Sequence, residues 1–407
     1  MDYVRREIFD TIEDKDLDFK KIARLIGLTP RSFEYFRNGE RNLGFRYMIK
    51  LSYVVSPKEP HKKLSEWCLS FDSSELIKNS FEYAAITRNV DLLGKLLELH
   101  KNSTGTIKEC TQIYGFIYQG MNNRLNYSDI IKKIMELKSI KDSALQILVE
   151  INKCIGYFHQ RRFLTLPNDI YEIECKINKM SDKRELFLKE CFLHRLSEIA
   201  CHSYLHLNNL NLARHYARIL INANMNLKVK SEAYYVLGMS YLNEDVDRCI
   251  KYLEKSLSIM KLTGIDFLVE FSEYNLNCAK LYSDIKLPDN ADPSLLMFES
   301  YKNNKVEKKF ALKVIKESGD PDLISLFEGI CEEGNSELHN KFHDFFSDAN
   351  FYFAAIVVKE LMNRGENSAF IKSLTKLTIF KKGDVLFEEN FINCFNNRDI
   401  INGSNCA

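Results

Sequence analysis

The spacing of apolar residues along the chain is the feature that most restricts its fold. Apolar side chains recur every three or four residues, as in the stretches 92–97 and 253–260, and residues with that spacing share one face of an α-helix. Only 7 prolines and 16 glycines interrupt the 407 residues, and no Asn-Gly or Asp-Gly turn joins two alternating apolar and polar runs. The pattern predicts an all-α chain.

Two pairs of prolines divide the chain into three parts. Pro57 and Pro60 prevent a continuous helix at one point, and Pro288 and Pro293 do so at another. A chain of 407 residues also exceeds what one hydrophobic core usually organises. We predict a helix-turn-helix DNA-binding domain at 1–56, a tetratricopeptide-like peptide-binding solenoid at 57–287, and C-terminal helical repeats at 288–395 for capping and dimerisation.

Cysteine usage and hydropathy restrict where the protein works. The 11 cysteines are scattered without a Cys-x-x-Cys pair, which is typical of reduced, buried thiols in a cytosolic protein. The longest uncharged apolar run, 351–358, has 8 residues, whereas a membrane span needs about 20. The N-terminus is charged where a signal peptide would be apolar. We therefore expect a cytoplasmic protein that makes no membrane contact.

The N-terminal part carries the sharpest local signal. Residues 19–26 form a short amphipathic helix, which Gly27 ends. Thr29 can then cap a second helix, with Pro30 in its first turn and Gly39 just beyond its end. The order helix, tight turn, helix is typical of a DNA-binding helix-turn-helix.

The second of these helices and its flanks are basic. Between Lys20 and Lys50 there are eight basic residues against two acidic ones, although the whole chain has 57 basic and 56 acidic residues. Contact with DNA phosphates requires such a local basic footprint. The alternative is a plain helical bundle whose basic residues only face solvent. The residues that we predict to contact DNA are Lys20, Lys21, Arg31, Ser32, Tyr35, Arg37, Arg41 and Arg46.

A repeat is recognisable in the middle of the chain. Tyr234, Leu237, Gly238 and Tyr241 match the first helix of a tetratricopeptide unit, in which the small glycine admits a neighbouring helix. The same pattern begins 38 residues earlier, around Ala200. This predicts a degenerate helical solenoid with a concave face.

Polar residues along the concave face are candidate ligand groups. Asparagine side chains can both donate to and accept from the backbone of an extended peptide. Each of these residues could equally be a turn residue or a solvent-facing one. The residues that we predict to contact a short signalling peptide are His202, Arg218, Asn222, Tyr235, Tyr274, Asn275 and Asn277.

Motifs for metal binding and catalysis are missing. His202 and His206, with Glu198 one turn earlier, resemble a metal-binding helix face, but the complete metalloprotease motif is absent. Serine-hydrolase elbows, phosphate-binding loops and dinucleotide-binding turns are absent as well. We therefore expect no metal, no other cofactor and no enzymatic activity.

These features together resemble a known family. The chain is similar to the peptide-responsive regulators of Gram-positive bacteria and their phages, and most of all to the phage arbitrium receptors of the AimR type. The resemblance implies a homodimer that binds a promoter, is inhibited by a short communication peptide and controls the choice between lysis and lysogeny, in the cytoplasm of the bacterial host. It rests on the stretches 22–28, 67–72, 80–84, 213–217 and 237–238.

Dimerisation is also expected on physical grounds. One small helix-turn-helix covers too few base pairs for useful specificity, and such modules usually bind two half-sites. A second possibility is that the most apolar helix only caps the preceding repeat. The residues that we predict for the dimer contact are Phe345, Phe346, Phe351, Phe353, Ile356, Val357 and Leu361.

The predicted function is a peptide-controlled transcriptional regulator that binds a double-stranded DNA operator. Two alternatives stay open. The solenoid could bind a protein partner while the N-terminal bundle only docks. The protein could instead be a phosphatase-like relative whose N-terminal bundle contacts a response regulator. The basic stretch from Lys20 to Lys50 favours DNA.

Overall fold

The computed structural model describes residues 1–122, 127–137, 140–303, 307, 310–313, 321–332, 334–378 and 385–395. Every regular element in this part of the chain is a helix, so the predicted all-α class is confirmed. The division into a helix-turn-helix domain and a tetratricopeptide-like solenoid stays a prediction. Over the described ranges, no helix has the length and apolar character that crossing a membrane requires.

Four helices form the N-terminal module: α1 (Asp2–Asp14), α2 (Phe19–Leu25), α3 (Pro30–Arg37) and α4 (Phe45–Val55). The Phe33 ring lies 4.8 Å from Phe19 and 5.1 Å from Phe9 between ring centroids. Thr29 Oγ1 accepts from the Ser32 backbone N–H and caps α3, as its sequence position predicts. Gly27 adopts φ +86 in the turn between α2 and α3, a conformation that glycine adopts without steric cost.

Seven helices continue the chain: α5 (Pro60–Cys68), α6 (Ser74–Ile86), α7 (Val90–Leu99), α8 (Gly105–Met121), α9 (Tyr127–Met135), α10 (Ser143–His159) and α11 (Leu166–Asn178). The first of them packs against the N-terminal module. Glu7 on α1 accepts from Trp67 Nε1 at 2.6 Å and from Lys63 Nζ at 2.7 Å. Hydrogen bonds thus connect α1 to α5, which lie on opposite sides of the proline break after residue 56.

The two predicted repeats correspond to α12 (Leu186–His206) with α13 (Leu210–Ala223), and α14 (Leu227–Met239) with α15 (Val246–Lys261); α16 (Asp266–Tyr282) follows. A Cβ added at Gly238 would lie 2.7 Å from Leu253 Cγ. Glycine is therefore required where α14 crosses α15, which is the role that the repeat pattern predicts for it.

The C-terminal helices fold back onto this middle part. They are α17 (Pro293–Lys302), α18 (Pro321–Cys331), α19 (Ser336–Ser347), α20 (Phe351–Asn363) and α21 (Ala369–Leu374). The Tyr352 hydroxyl on α20 donates to the Met239 carbonyl at 2.6 Å. Because α20 packs against α12, α18 and α19, its residues 351–358 are all buried within the same chain.

Candidate functional site

A cavity of about 370 Å³ lies among α6, α8, α9, α10, α12 and α14. Its volume falls within the range of small-ligand sites. Apolar residues such as Ile117, Ile155 and Phe158 form part of its wall. The charged and polar residues that line it are Arg88, Asn152, His159, Arg195, Glu198, His202, Lys228 and Glu232.

Helix periodicity explains how α12 contributes to this cavity. Arg195, Glu198, Ile199 and His202 have the spacing of one helix face, and all four line the cavity. In the sequence, Glu198, His202 and His206 resemble a metal-binding helix face. Within the described residues, no group of three or more His, Cys, Asp or Glu side chains could hold a metal ion.

Arg195, which lines the cavity, belongs to a buried ion pair. Arg195 Nε lies 2.7 Å from Glu82 Oε1, and the Tyr114 hydroxyl donates to Glu82 Oε2 at 2.7 Å. Glu82 is fully buried. A buried carboxylate needs a charged partner and further hydrogen bonds, and both are present, so this network fixes Arg195 and α6 in place.

Glu198 is held in its ionised form. Burial by itself would raise its pKa, but the contact with His194 and the charges of Arg88 and Arg195 lower the pKa to about 2. The Oε1 atom lies 3.1 Å from His194 Nδ1, and Oε2 lies 3.7 Å from Arg88 Nη2. Glu198 therefore offers a negative charge to a ligand at any physiological pH.

A second acidic and basic pair faces the cavity from α14. Lys228 Nζ lies 3.6 Å from Glu232 Oε1, and burial raises the pKa of Glu232. Burial also lowers the pKa of His202 to about 4, although Glu198 opposes that shift, so His202 is uncharged near neutral pH. The cavity thus combines separate positive and negative groups with apolar walls.

The seven residues predicted to contact a peptide do not come together in the structure. Only His202 lines the cavity. Tyr235 and Asn275 face α18 and α20, which leave a space of only about 20 Å³ there. Tyr274 is half-buried, and Asn277 is 2% exposed.

Arg218 and Asn222 instead contact the irregular segment 385–395. Arg218 Nη1 lies 3.0 Å from Glu389 Oε1, and Asn222 Nδ2 donates to the Glu389 carbonyl at 3.1 Å. The cavity residues Arg88, Lys228 and Glu232 were not predicted from the sequence. Their helical spacing carried a signal, but which helix faces line a cavity depends on how distant helices pack.

Most residues predicted to contact DNA lie on the surface of the N-terminal module. Lys20, Lys21, Arg31 and Arg41 are exposed, and Ser32 and Tyr35 are half-buried. Arg31 Nε donates to the Tyr35 hydroxyl at 2.8 Å. These six residues, on α2, α3 and the loop after α3, are called the basic face below.

Two predicted DNA contacts are engaged within the chain. Arg37 Nη2 lies 2.7 Å from Glu13 Oε1, and both side chains are exposed. Arg46 Nε lies 3.3 Å from Glu190 Oε2 on α12, where Glu190 is buried. The structure therefore separates Arg46 from the basic face.

Comparison with known proteins gives consistent results. A family model described as AimR transcriptional regulator-like matches residues 61–363. The chain is similar to the AimR transcriptional regulator of Bacillus phage phi3T, with 25% identity over 207 residues, which are 50% of this chain and 53% of that protein. The match thus spans about half the length of that relative.

Two solved structures share the fold. SeMet-phAimR has a TM-score of 0.63 and 18% identity, with 91% of this chain and 100% of that chain covered. The structure of phAimR-Ligand has a TM-score of 0.61 and 18% identity, with 80% of this chain and 98% of that chain covered. At this identity the similarity concerns the fold alone.

Proposed function

The chain belongs to the AimR transcriptional regulator-like family, and from this premise we propose that it is a DNA-binding regulator of transcription controlled by a short peptide. The family consists of transcriptional regulators and not of enzymes, which agrees with the absence of catalytic motifs. A related structure contains a ligand, according to its description as phAimR-Ligand.

The single observation that carries the peptide proposal is the charge pattern of the cavity. Arg88 and Lys228 are cationic, while Glu198 stays ionised because its pKa is about 2. A short peptide carries an ammonium group, a carboxylate group and apolar side chains together. Its two termini match the mixed charges, and its side chains match the apolar wall.

The basic face supports the DNA part of the proposal. Phosphate contacts need cationic side chains that can reach the backbone, and Lys20, Lys21, Arg31 and Arg41 are exposed on one small module. We further propose a homodimer, because two modules are needed to bind two half-sites. In this proposal the peptide inhibits DNA binding and controls the choice between phage lysis and lysogeny, inside the bacterial host cell.

Calorimetry tests the peptide site. Short synthetic peptides encoded by small reading frames beside the gene would be titrated into the full chain. We expect Arg88→Ala to weaken binding about 10- to 100-fold, because a hydrogen bond to a charged group contributes roughly 1.5–3 kcal/mol. Arg248→Ala is the matched control, since Arg248 is an exposed arginine on α15 outside the cavity. Equal losses in both variants would contradict the cavity as the site.

Gel shifts with DNA fragments that flank the gene test the DNA-binding part of the proposal. Binding through phosphates must weaken as salt rises. A chain that binds no fragment at low salt would argue against the DNA proposal. Capture of a response regulator by the same chain would then favour the alternative function.

A further inference from the structure

The segment 385–395 lies outside the helices but is firmly packed. Its sequence is Val-Leu-Phe-Glu-Glu-Asn-Phe-Ile-Asn-Cys-Phe. Phe387, Ile392 and Cys394 are each at most 4% exposed. Segments without regular secondary structure are usually mobile unless contacts hold them, so this burial requires a surface that receives the segment.

Helix α13 binds both the side chain and the backbone of one residue in the segment. Glu389 Oε1 lies 3.0 Å from Arg218 Nη1 and 3.7 Å from His215 Nδ1. Asn222 Nδ2 donates to the Glu389 carbonyl oxygen at 3.1 Å. These contacts fix the position of the first half of the segment along α13.

Helix α12 contacts the Phe387 and Phe391 rings and the second half of the segment. Lys189 Nζ lies 5.7 Å from the centre of the Phe387 ring and 5.6 Å from that of Phe391, within the range of a cation–π contact. The Asn393 backbone N–H donates to Glu190 Oε1 at 3.0 Å. The buried Glu190 carboxylate thus joins the segment to α12.

The N-terminal module and its neighbours complete the surface. Arg46 on α4 pairs with Glu190 and also donates to the Asn393 side chain. The Phe395 ring lies 6.1 Å from Tyr83 on α6 and 6.3 Å from His61 on α5, between ring centroids. The segment therefore contacts five helices from two distant parts of the sequence, 45–86 and 186–223.

We propose that α4, α5, α6, α12 and α13 form a docking groove for an irregular segment rich in aromatic and acidic residues. Residues 385–395 of the same chain fill this groove. Their docking holds the N-terminal module against α12. Charge complementarity supports this occupant. Arg218 of the groove pairs with Glu389 of the segment, and the segment contains no basic residue, while Arg46 and Lys189 are paired with Glu190 and Asp182 outside the segment.

Alkylation of Cys394 in the full chain measures docking directly. Because Cys394 is 3% exposed, iodoacetamide can reach it only when the segment leaves the groove. Peptide mass spectrometry would follow its modification under native conditions. We expect Glu389→Lys to speed alkylation about fivefold, because it replaces an attraction to Arg218 with a repulsion. Glu388→Lys is the control, since Glu388 is exposed and carries the same charge change.

A charge swap tests whether the Arg218–Glu389 pair holds the segment in the groove and which copy of the chain supplies the segment. Arg218→Glu should speed alkylation, and the double variant with Glu389→Lys should return to within about threefold of the wild-type rate. Rescue within one chain but not on mixing the two single variants supports docking within the same chain. Rescue on mixing would overturn that point, because the segment would then come from a second copy.

Hydrogen exchange tests the effect on the N-terminal module. Glu389→Lys should increase amide exchange in α4 (Phe45–Val55), whereas Glu388→Lys should not. Unchanged alkylation and exchange in Glu389→Lys would overturn the proposal. Neither measurement uses DNA or a peptide ligand, so such a result would leave the proposed function untouched.

Discussion

Glu174 is a carboxyl group that the fold buries with one hydroxyl partner. It is 1% exposed, and the Tyr216 hydroxyl donates to its Oε2 atom at 3.1 Å. Burial raises its pKa from 4.5 to about 7, although the Tyr216 hydrogen bond opposes the shift. A carboxyl group whose pKa is raised by folding destabilises the protein progressively as pH rises from the unfolded to the folded value.

We therefore expect Glu174→Gln to raise the free energy of unfolding above that of the wild type by more at pH 8 than at pH 4.5. The gain should approach about 3 kcal/mol, because each pKa unit corresponds to about 1.4 kcal/mol. Urea unfolding at both pH values measures it. Glu172→Gln, at an exposed position on the same helix, should show no such dependence. A gain for Glu174→Gln that is equal at both pH values would contradict the assignment.

Arg31 is the residue on the basic face whose DNA role is easiest to isolate. Its side chain is exposed, and its Nε atom donates to the Tyr35 hydroxyl on the same helix. Arg31→Ala should therefore leave folding intact and weaken DNA binding by about 1–3 kcal/mol. A salt-dependent gel shift checks this, with Lys255→Ala on α15 as the control. Unchanged affinity in Arg31→Ala would remove it from the interface.

Single residues also mark the limit of what the sequence predicts about the site. His202, which was predicted to contact a peptide, lines the cavity, and its contact with a peptide stays a prediction. Arg218 and Asn222 were predicted to bind a peptide, and they bind the chain's own segment 385–395 instead. The residue types of Arg218 and Asn222 predicted polar contacts. Their partner lies about 170 positions away in the sequence, and a local sequence pattern does not identify such a distant partner.

At the scale of helices, the approach of α14 to α15 depends on Gly238. A Cβ there would lie 2.7 Å from Leu253 Cγ, so Gly238→Ala should destabilise the chain by about 1–3 kcal/mol through overpacking. Gly115→Ala on α8 is the matched control, because its Cβ would meet Leu97 at an ordinary 3.9 Å. Alanine should stabilise that helix slightly. Urea unfolding that ranks the two variants in the opposite order would contradict this explanation.

Helix α20 explains why element positions are easier to predict than element partners. Its apolar run predicted a helix correctly and suggested a contact between two chains. In the structure Phe351, Phe353 and Ile356 are buried against the same chain, because α12, α18 and α19 pack against α20. Periodicity gives the apolar positions of a helix, but it does not identify which elements cover them. The homodimer stays a prediction, and α20 supplies no free apolar face for it.

For the whole molecule, the ligand cavity and the docking groove share two helices. On α12, Glu190 contacts the segment 385–395, while Glu198 lines the cavity two turns later. On α6, Tyr83 contacts Phe395, and Arg88 just beyond the helix lines the cavity. A ligand that shifts α6 or α12 would therefore also shift the contacts of the N-terminal module. This arrangement gives the proposed peptide a physical route to the basic face.

Such coupling predicts a relation between peptide affinity and DNA affinity that can be measured. If the peptide binds one arrangement of α6 and α12 more tightly than the other, it can change DNA affinity by at most the ratio of those two affinities, and coupling factors of about 5- to 150-fold are typical. Thermodynamic reciprocity requires DNA to weaken peptide binding by the same factor. Calorimetric titration of the peptide with and without operator DNA checks this equality. Glu389→Lys should reduce the factor, because a loosened N-terminal module no longer follows α12. Equal peptide affinity in both titrations would show that the two sites act independently.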